Sequence, residues 1–454
     1  MNDLSWRRHW FGLVSMGIVL SLSASCKTQP EDSTRRTPGV KIEPKPSPDV
    51  KPNPTPQPND DPTNPGDSKP RRFLDFDADI DEGSHIRATW IPHHYYSDPR
   101  FDPDKALEEI KRARFNTIYI SVYNQGEARW NSSAFKRAGG VAATDKTLFD
   151  FVEKLKAAGV RVAAWFEYGL ALYPSNHPIA VNHPDWLQRD MAGEIQGNET
   201  QVFMSPSHPK VVELLSDMVA EITKLGIFDE IQLDRFRYTR MTSEGREFGY
   251  EAVTADLYQK RFKQSPPTDK NEAGWVQFRE ERVNDLVKSC YKAIKNTDEA
   301  MLVSIAPVGH YGIRQHMQRW SAWLKEGAID YVAIQVYNMD IDAFKSHLDR
   351  QITELESIGR LGDSVSKNRI VIGLRAHETT DAQQTIESIE YLRSKGFFHT
   401  SLWAFHHFNR NDLGIADDLE LLLKPKTHST WNRFRYFEGW QGKPKHPFIR
   451  DPGS

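Results

Sequence analysis

Thr117-Ile118-Tyr119-Ile120-Ser121-Val122-Tyr123 and Val160-Arg161-Val162-Ala163-Ala164-Trp165-Phe166 are two short apolar runs, with the amphipathic stretch Lys146–Ala158 between them. Strand, helix and strand in that order make a βαβ unit, and its two strands lie parallel. The alternation continues in both directions. Further strands are expected at Arg87–Ile91, Glu230–Leu233, Ala300–Ala306, Tyr331–Tyr337, Arg369–Leu374 and Phe398–Phe405. Further helices are expected at Pro103–Arg114, Pro209–Leu225, Asn271–Lys295, Ile313–Glu326, Asp342–Ile358 and Thr380–Ser394. Eight strands with helical crossovers over roughly 340 residues fit an α/β fold, the (β/α)8 TIM barrel. An open doubly wound sheet would place a glycine-rich phosphate loop after its first strand. That position reads Ile91-Pro92-His93-His94-Tyr95, with no glycine, so the barrel is the better reading.

Outside the barrel the composition changes. In this 454-residue chain, Arg7-Arg8-His9 precedes an apolar run from Trp10 to Leu22, followed by Ser23-Ala24-Ser25-Cys26. A charged start, a short apolar core and small residues mark a secretory signal and not a spanning helix. The segment resembles a bacterial lipoprotein signal, although Leu22 sits one place upstream of the usual leucine. That resemblance implies that Cys26 is acylated and holds the exported chain to a membrane of the cell envelope, facing the periplasm or the cell surface. Residues 27–70 hold 12 of the 27 prolines and no aromatic residue, too little apolar surface to offset the entropy of ordering. Where polyproline-like, such a linker extends about 3.1 Å per residue. The expected organisation is a signal over 1–26, a disordered proline-rich tether over 27–70, the barrel over 71–430 and an extension over 431–454. The extension is rich in aromatic and basic residues and too short for a core of its own, so it is expected to pack on the barrel.

Charge and cysteine usage exclude several functions. With 59 basic and 62 acidic residues the net charge is −3, a field that gathers neither nucleic acid nor anionic lipid. Beyond Cys26 the only cysteine is Cys290, so the exported domain has no internal disulfide and is held by its core. Cys290 lies in a helical stretch, Val283–Ile294, where a lone cysteine packs. The expected state is a monomer with no cofactor and no nucleic-acid partner.

Barrel enzymes build their sites at the C-terminal ends of the strands. In order those ends offer His93 and His94, Asn124 to Glu127, Glu167 with Tyr168, Asp234 with Arg235, His310, Tyr337 to Asp340, Arg375 with His377, and Trp403 to His407. Carboxylates, imidazoles, aromatic rings and amides predominate. No glycine-rich loop with an attached lysine, no HExxH and no GxSxG occurs, so phosphoryl transfer, zincin-type proteolysis and hydrolase-type serine chemistry lack their signatures.

Five strings carry a resemblance: Trp165-Phe166-Glu167-Tyr168-Gly169, His183-Pro184-Asp185-Trp186-Leu187, Ile231-Gln232-Leu233-Asp234, Phe248-Gly249-Tyr250 and Gln335-Val336-Tyr337. In that order they resemble bacterial glycosyl-hydrolase-like family 10 over roughly Arg87 to Phe408. The resemblance implies a barrel and an association with cleavage of cell-wall glycan strands, that is, a lysozyme-like activity on peptidoglycan. The family's fourth strand often ends in two aspartates. Here the second position is Arg235, which leaves Asp234 the only carboxylate of that pair.

The chemistry of the residues points the same way. Glycosidic cleavage needs one carboxyl group to protonate the leaving oxygen and a second carboxylate to attack or to activate water. Glu167 and Asp234 end adjacent strands, and an apolar surround separates their pKa values into acid and base roles. Asp234 is expected as nucleophile or base and Glu167 as general acid, with Glu127 and Asp340 as further acids. Expected substrate contacts are His93, Asn124, Tyr168, Trp186, Arg235, Gln335, Tyr337, Arg375, Trp403 and His406, the aromatic members stacking on sugar rings. The string Phe228 to Phe236 also runs parallel to the fourth-strand motif of chitinase-like enzymes, but their catalytic glutamate falls on Phe236, which cannot donate a proton. Adjacent histidines on a strand point to opposite faces, so His93-His94 and His406-His407 are not expected to hold a metal. The alternative to a hydrolase is a lipoprotein that binds cell-wall polysaccharide without turning it over.

Overall fold

The computed structural model describes residues 73–74, 85–195, 201–239, 245–338, 340–358, 367–376, 382–407 and 449–450. These residues lie in one compact unit, Asp67–Ser454. Cys26, the signal segment, the 27–70 linker and all of the extension except Ile449–Arg450 lie outside the described residues.

Eight parallel strands close a barrel: β1 Arg87–Ile91, β2 Thr117–Asn124, β3 Arg161–Phe166, β4 Glu230–Leu233, β5 Leu302–Ile305, β6 Tyr331–Val336, β7 Ile370–Arg375 and β8 His399–Trp403. Each pairs with the next in the chain, and β8 returns to β1 with Leu402 opposite Thr89. The crossovers contain α1 Pro103–Arg112, α2 Lys146–Ala157, α3 Pro209–Lys224, α4 Ala273–Thr297, α5 Trp320–Lys325, α6 Ile341–Ser357 and α7 Ala382–Ser394. Local chemistry sets several starts. Asp102 accepts from the Asp104 and Lys105 N–H groups ahead of Pro103, and Asp145 accepts from Leu148, satisfying donors that a helix leaves unpaired. Glu272 does the same for Gly274 and Trp275 and moves the start of α4 two residues beyond the expected Asn271.

One expected element is two. Ile313–Glu326 is not a continuous helix: Gly309–His316 ends at Met317, in the left-handed region at φ 57°, and α5 starts at Trp320. The turn lets Trp320 and Trp323 both bury, with the Trp320 indole donating to the Gly309 carbonyl at 3.0 Å. Short excursions that the periodicity does not signal also leave the barrel's upper face. Glu127–Ala128 folds back antiparallel on β2, and Ala171–Leu172 pairs with Val202–Phe203. Among the described residues no helix is long and apolar enough to cross a membrane.

Alternation along the strands sorts side chains into two sets. Val162, Ala164, Phe166, Ile231, Leu233, Val303, Ile305, Val332 and Ile334 belong to the large cluster beneath the helices. Ala88, Trp90, Tyr119, Ala163, Trp165, Tyr331, Ala333 and Val371 form a second cluster inside the barrel. The interior is also polar. Glu230 is buried and accepts from the Ser304 and Tyr331 hydroxyls, and Gln232 accepts from the Trp90 indole at 2.7 Å and donates to Ser304 at 3.1 Å. Between Ser121 and Tyr123 the register with β3 slips by one residue, a β-bulge.

Candidate active site

Phe166 on β3 faces Leu233 on β4, so the next residues, Glu167 and Asp234, leave the sheet side by side on strands about 4.8 Å apart. Both share the inward parity of Trp165 and Gln232. Their backbones are pinned: Glu167 N–H donates to the Tyr123 carbonyl at 3.0 Å and Asp234 N–H to the Phe166 carbonyl at 3.0 Å. Gly169 N–H donates to the Asp234 carbonyl at 3.1 Å. A side chain at Gly169 would run into the Phe236 ring, which is fully buried.

The carboxyl groups are both buried and differ in their partners. Glu167 Oε2 accepts from the Asn124 amide at 2.5 Å. Burial pushes the Glu167 carboxyl up to about 7, against the pull of the Arg235 charge and the Asn124 hydrogen bond. Burial pushes Asp234 up to about 6, opposed by Arg235 and Arg237. Asp234 Oδ2 receives only a long contact from Gln335 Nε2 at 3.4 Å, and the same nitrogen donates to the Ala306 carbonyl at 3.0 Å. Asp234 Oδ1 is buried with no hydrogen-bond partner. The Trp165 indole favours the charged form of Asp234 from nearby but falls short of hydrogen-bond geometry.

Aromatic rings and cations surround the pair. Tyr337 and Trp403 are half-buried and near-parallel, with centroids 6.3 Å apart at 24°. Trp403 meets Trp165 and Trp90 edge-on at 5.6 and 6.1 Å. Burial, then the Asp234 charge, raises the Tyr337 phenol well above its ordinary value. The Arg235 guanidinium lies 3.6 Å from the Tyr168 ring centroid. Across the bowl His406 meets His94 edge-on at 4.9 Å. His93 is pushed down to about 4 by burial, then by Arg129 and His94, and so is neutral at physiological pH. Arg375 ends β7 opposite Trp403. Among the described residues no three His, Cys, Asp or Glu side chains are grouped so as to hold a metal ion.

Three of the expected residues have other work. Trp186 is buried and stacks on His183 at 4.1 Å, within the excursion that follows β3. Glu127 is exposed and paired with Arg129 at 2.6 Å. Asp340 is exposed and caps α6, accepting from the Ala343 N–H at 2.7 Å. Their positions near strand ends did not separate them from Glu167 and Asp234. Trp165, two residues before Glu167, is a missed neighbour that counting by twos finds. Cys290 packs in α4 as expected, its thiol pushed up to about 12 by burial.

A closed barrel with two buried carboxyls on neighbouring strand ends, under a pair of near-parallel aromatic rings, is a scaffold of the glycoside-hydrolase type. The sequence gives that class a family. Residues 85–387 match the family described as glycosyl hydrolase-like 10, and the chain belongs to it. It is similar to "Glycosyl hydrolase YngK" of Bacillus subtilis (strain 168), 23% identical over 71% of this chain and 66% of that protein. It is also similar to "Glycosyl hydrolase DigH" of Escherichia coli (strain K12), 22% identical over 51% of this chain and 56% of that one. The chain thus spans from just over half to just under two thirds of these relatives' lengths. Among solved structures, the PgaB (BpsB) glycoside hydrolase domain from Bordetella bronchiseptica superposes with a TM-score of 0.57 at 14% identity, covering 75% of this chain and 99% of that domain. The β-amylase catalytic domain from Paenibacillus polymyxa gives 0.54 at 12% identity, covering 75% and 98%. At those identities the likeness is one of fold.

Proposed function

We propose that this protein is a glycoside hydrolase that cleaves the glycan strands of peptidoglycan, with Glu167 as general acid and Asp234 as nucleophile or base. The observation that carries the reading is the pairing of Phe166 with Leu233, which sets two buried carboxyls next to each other with different partners. Glu167, raised to about 7, holds a proton near neutral pH; Asp234, raised to about 6, is mostly ionised there. Those are the states an acid and a nucleophile or base need before the reaction. Tyr337 and Trp403 suit the apolar faces of sugar rings. The signal-like segment ending at Cys26 and the proline-rich stretch after it support an exported, lipid-anchored protein.

Arg235 favours a second reading. It stands where the family resemblance implies a second aspartate, and a barrel that lost turnover would still bind glycan. Purified full-length protein incubated in detergent with cell-wall sacculi separates the two. Released muropeptides or shortened strands support the hydrolase; retention on sacculi with no new reducing ends supports the binder. For the anchor, Cys26→Ala should move the protein out of the membrane fraction, and a variant that stays membrane-bound removes lipidation from the account.

A further inference from the structure

Among the described residues five that are not glycine have a backbone in the left-handed region. Arg114, Lys263 and Met317 follow helices, and Gln125 turns the hairpin between β2 and Glu127, places where that conformation is ordinary. The fifth, Arg235 at φ 55°, neither ends a helix nor turns a hairpin. It comes directly after Asp234 at the end of β4, and strain at such a position points to a task. The half-buried Arg235 guanidinium lies against the Tyr168 ring, 3.6 Å from its centroid, and Tyr168 comes directly after Glu167. Each carboxyl of the pair is thus followed by one half of a cation–π contact. On the main chain the same two strand ends are tied by Asp234 N–H to the Phe166 carbonyl and by Gly169 N–H to the Asp234 carbonyl. The stack also covers one face of Tyr168, which closes that face to a sugar ring.

We infer that the stack of Arg235 on Tyr168 is a clamp across the ends of β3 and β4, and that Arg235 is a positioning residue that fixes the spacing and the charge of Glu167 and Asp234. The inference rests on the glycosidase reading and gives Arg235 a part in it. The position where the family resemblance implies a second aspartate holds a cation that serves the remaining pair. A guanidinium is flat, so it lies on a ring and keeps its charge beside the carboxyls, which the compact ammonium of lysine does less well. Arg235 is the strongest influence opposing burial on both Glu167 and Asp234. An aspartate in its place would add a like charge and raise both carboxyls further. The other groups that face the pair are Arg237 on the loop after β4, Tyr337 at the end of β6 and Tyr96 after β1, with the Asn124 amide bonded to Glu167.

The test uses the full chain in detergent, with soluble glycan strands prepared from cell-wall sacculi. Two measurements run side by side: kcat and KM against pH, and thermal melts from pH 5 to 8, which need no turnover. Arg235→Asn keeps a residue that tolerates the left-handed backbone and removes the charge and the stack. Its kcat should fall about tenfold or more, with KM changed less, and both limbs of the pH profile should rise by about one unit. Arg235→Lys keeps the charge, so its limbs should return toward wild type and part of kcat with them. In the melts, Arg235→Asn should lose stability more steeply as pH rises, because both carboxyls are held further above their unfolded values. Adding Asp234→Asn or Glu167→Gln should shrink that extra slope. Unmoved limbs in Arg235→Asn, or a wild-type kcat, overturn the clamp. If Arg235→Asn does not fold, Tyr168→Leu decides: the arginine remains but loses its seat, so a rise of both limbs supports the clamp and unmoved limbs overturn it. A steeper melt slope with no turnover in any of the proteins keeps the clamp and removes the hydrolase. Turnover with limbs and slope unmoved does the reverse.

Discussion

The barrel holds buried carboxyls at two levels, and their surroundings differ. On the floor, burial pushes Glu230 up to about 7, and hydroxyls of Ser304 and Tyr331 cover its oxygens, with Tyr119 bonded to Tyr331 behind them at 3.0 Å. In the bowl, Glu167 and Asp234 are raised to about 7 and about 6 by the same cause, yet Asp234 Oδ1 has no partner. A raised pKa therefore does not distinguish a catalytic carboxyl from a structural one in this protein. The two levels differ instead in their acceptors: Glu230 has its oxygens covered, whereas the unfilled Asp234 Oδ1 suits a site that waits for a ligand.

The sharpest way to break this comparison is to neutralise one carboxyl at each level. Asp234→Asn should lower turnover by at least about two orders of magnitude, since the charge that attacks or stabilises the transition state is gone. At neutral pH its melting temperature should not fall, because Oδ1 gives up no hydrogen bond and the buried charge, which costs stability above about pH 6, is gone. Wild-type turnover in Asp234→Asn ends the assignment. Glu230→Ala should do the opposite, leaving the Ser304 and Tyr331 hydroxyls without their acceptor and costing about 2–3 kcal/mol in a denaturant titration. Residual activity per folded molecule should be largely kept. If Glu230→Ala abolishes turnover in protein shown to be folded, the floor belongs to the mechanism.

Trp403 sits between the levels, touching Trp90 and Trp165 below and Tyr337 beside it. Trp403→Ala should weaken glycan binding by about 1–3 kcal/mol if the ring stacks on sugar, and should destabilise the fold by about 3–5 kcal/mol if packing dominates. A binding isotherm beside a melting curve assigns the residue to one level.

A change of pH tests both levels at once. A carboxyl raised in the folded state adds stability that is fully present below its unfolded pKa and is lost as pH rises through the folded value. For Glu167 and Glu230 that window runs from the ordinary glutamate range to about 7, and for Asp234 it ends near 6. Stability should thus fall as pH is raised from 5 to 8 in thermal melts, and Glu230→Gln should flatten the slope. Activity should be bell-shaped, with the acid limb set by Asp234 near 6 and the alkaline limb by Glu167 near 7. An optimum above pH 8 would not fit these roles.

Sequence periodicity located the barrel because each strand is apolar on one face and each crossover helix on the other. Arg87–Ile91 and Glu230–Leu233 have the limits expected. It also found Glu167 and Asp234, which directly follow apolar runs. It did not separate them from Glu127 and Asp340, since an ion pair with Arg129 or a cap on α6 depends on neighbours distant in geometry or chosen by the turn. Nor did it show the floor. Glu230, Gln232 and Ser304 look like polar interruptions in short strands, and only closure of the barrel brings them to Trp90 and Tyr331. The bulge in β2 was hidden for the same reason. Strict alternation from Tyr119 and Ser121 would send Tyr123 inward, whereas Tyr123 packs outside against Phe135 and Phe166.

That bulge means that the acid's partner is chosen by strand register. One extra residue in β2 reverses the parity of everything after it, which is why Asn124 reaches Glu167. Pairing β2 with β3 straight through Val122, with no bulge, would swing Asn124 to the helix side and aim the Tyr123 phenol at the carboxyl, whereas deleting Val122 would leave both as they are. The acid's partner is open to change by a slip of register in a strand that contributes no catalytic group, a route that a scan of point substitutions never samples.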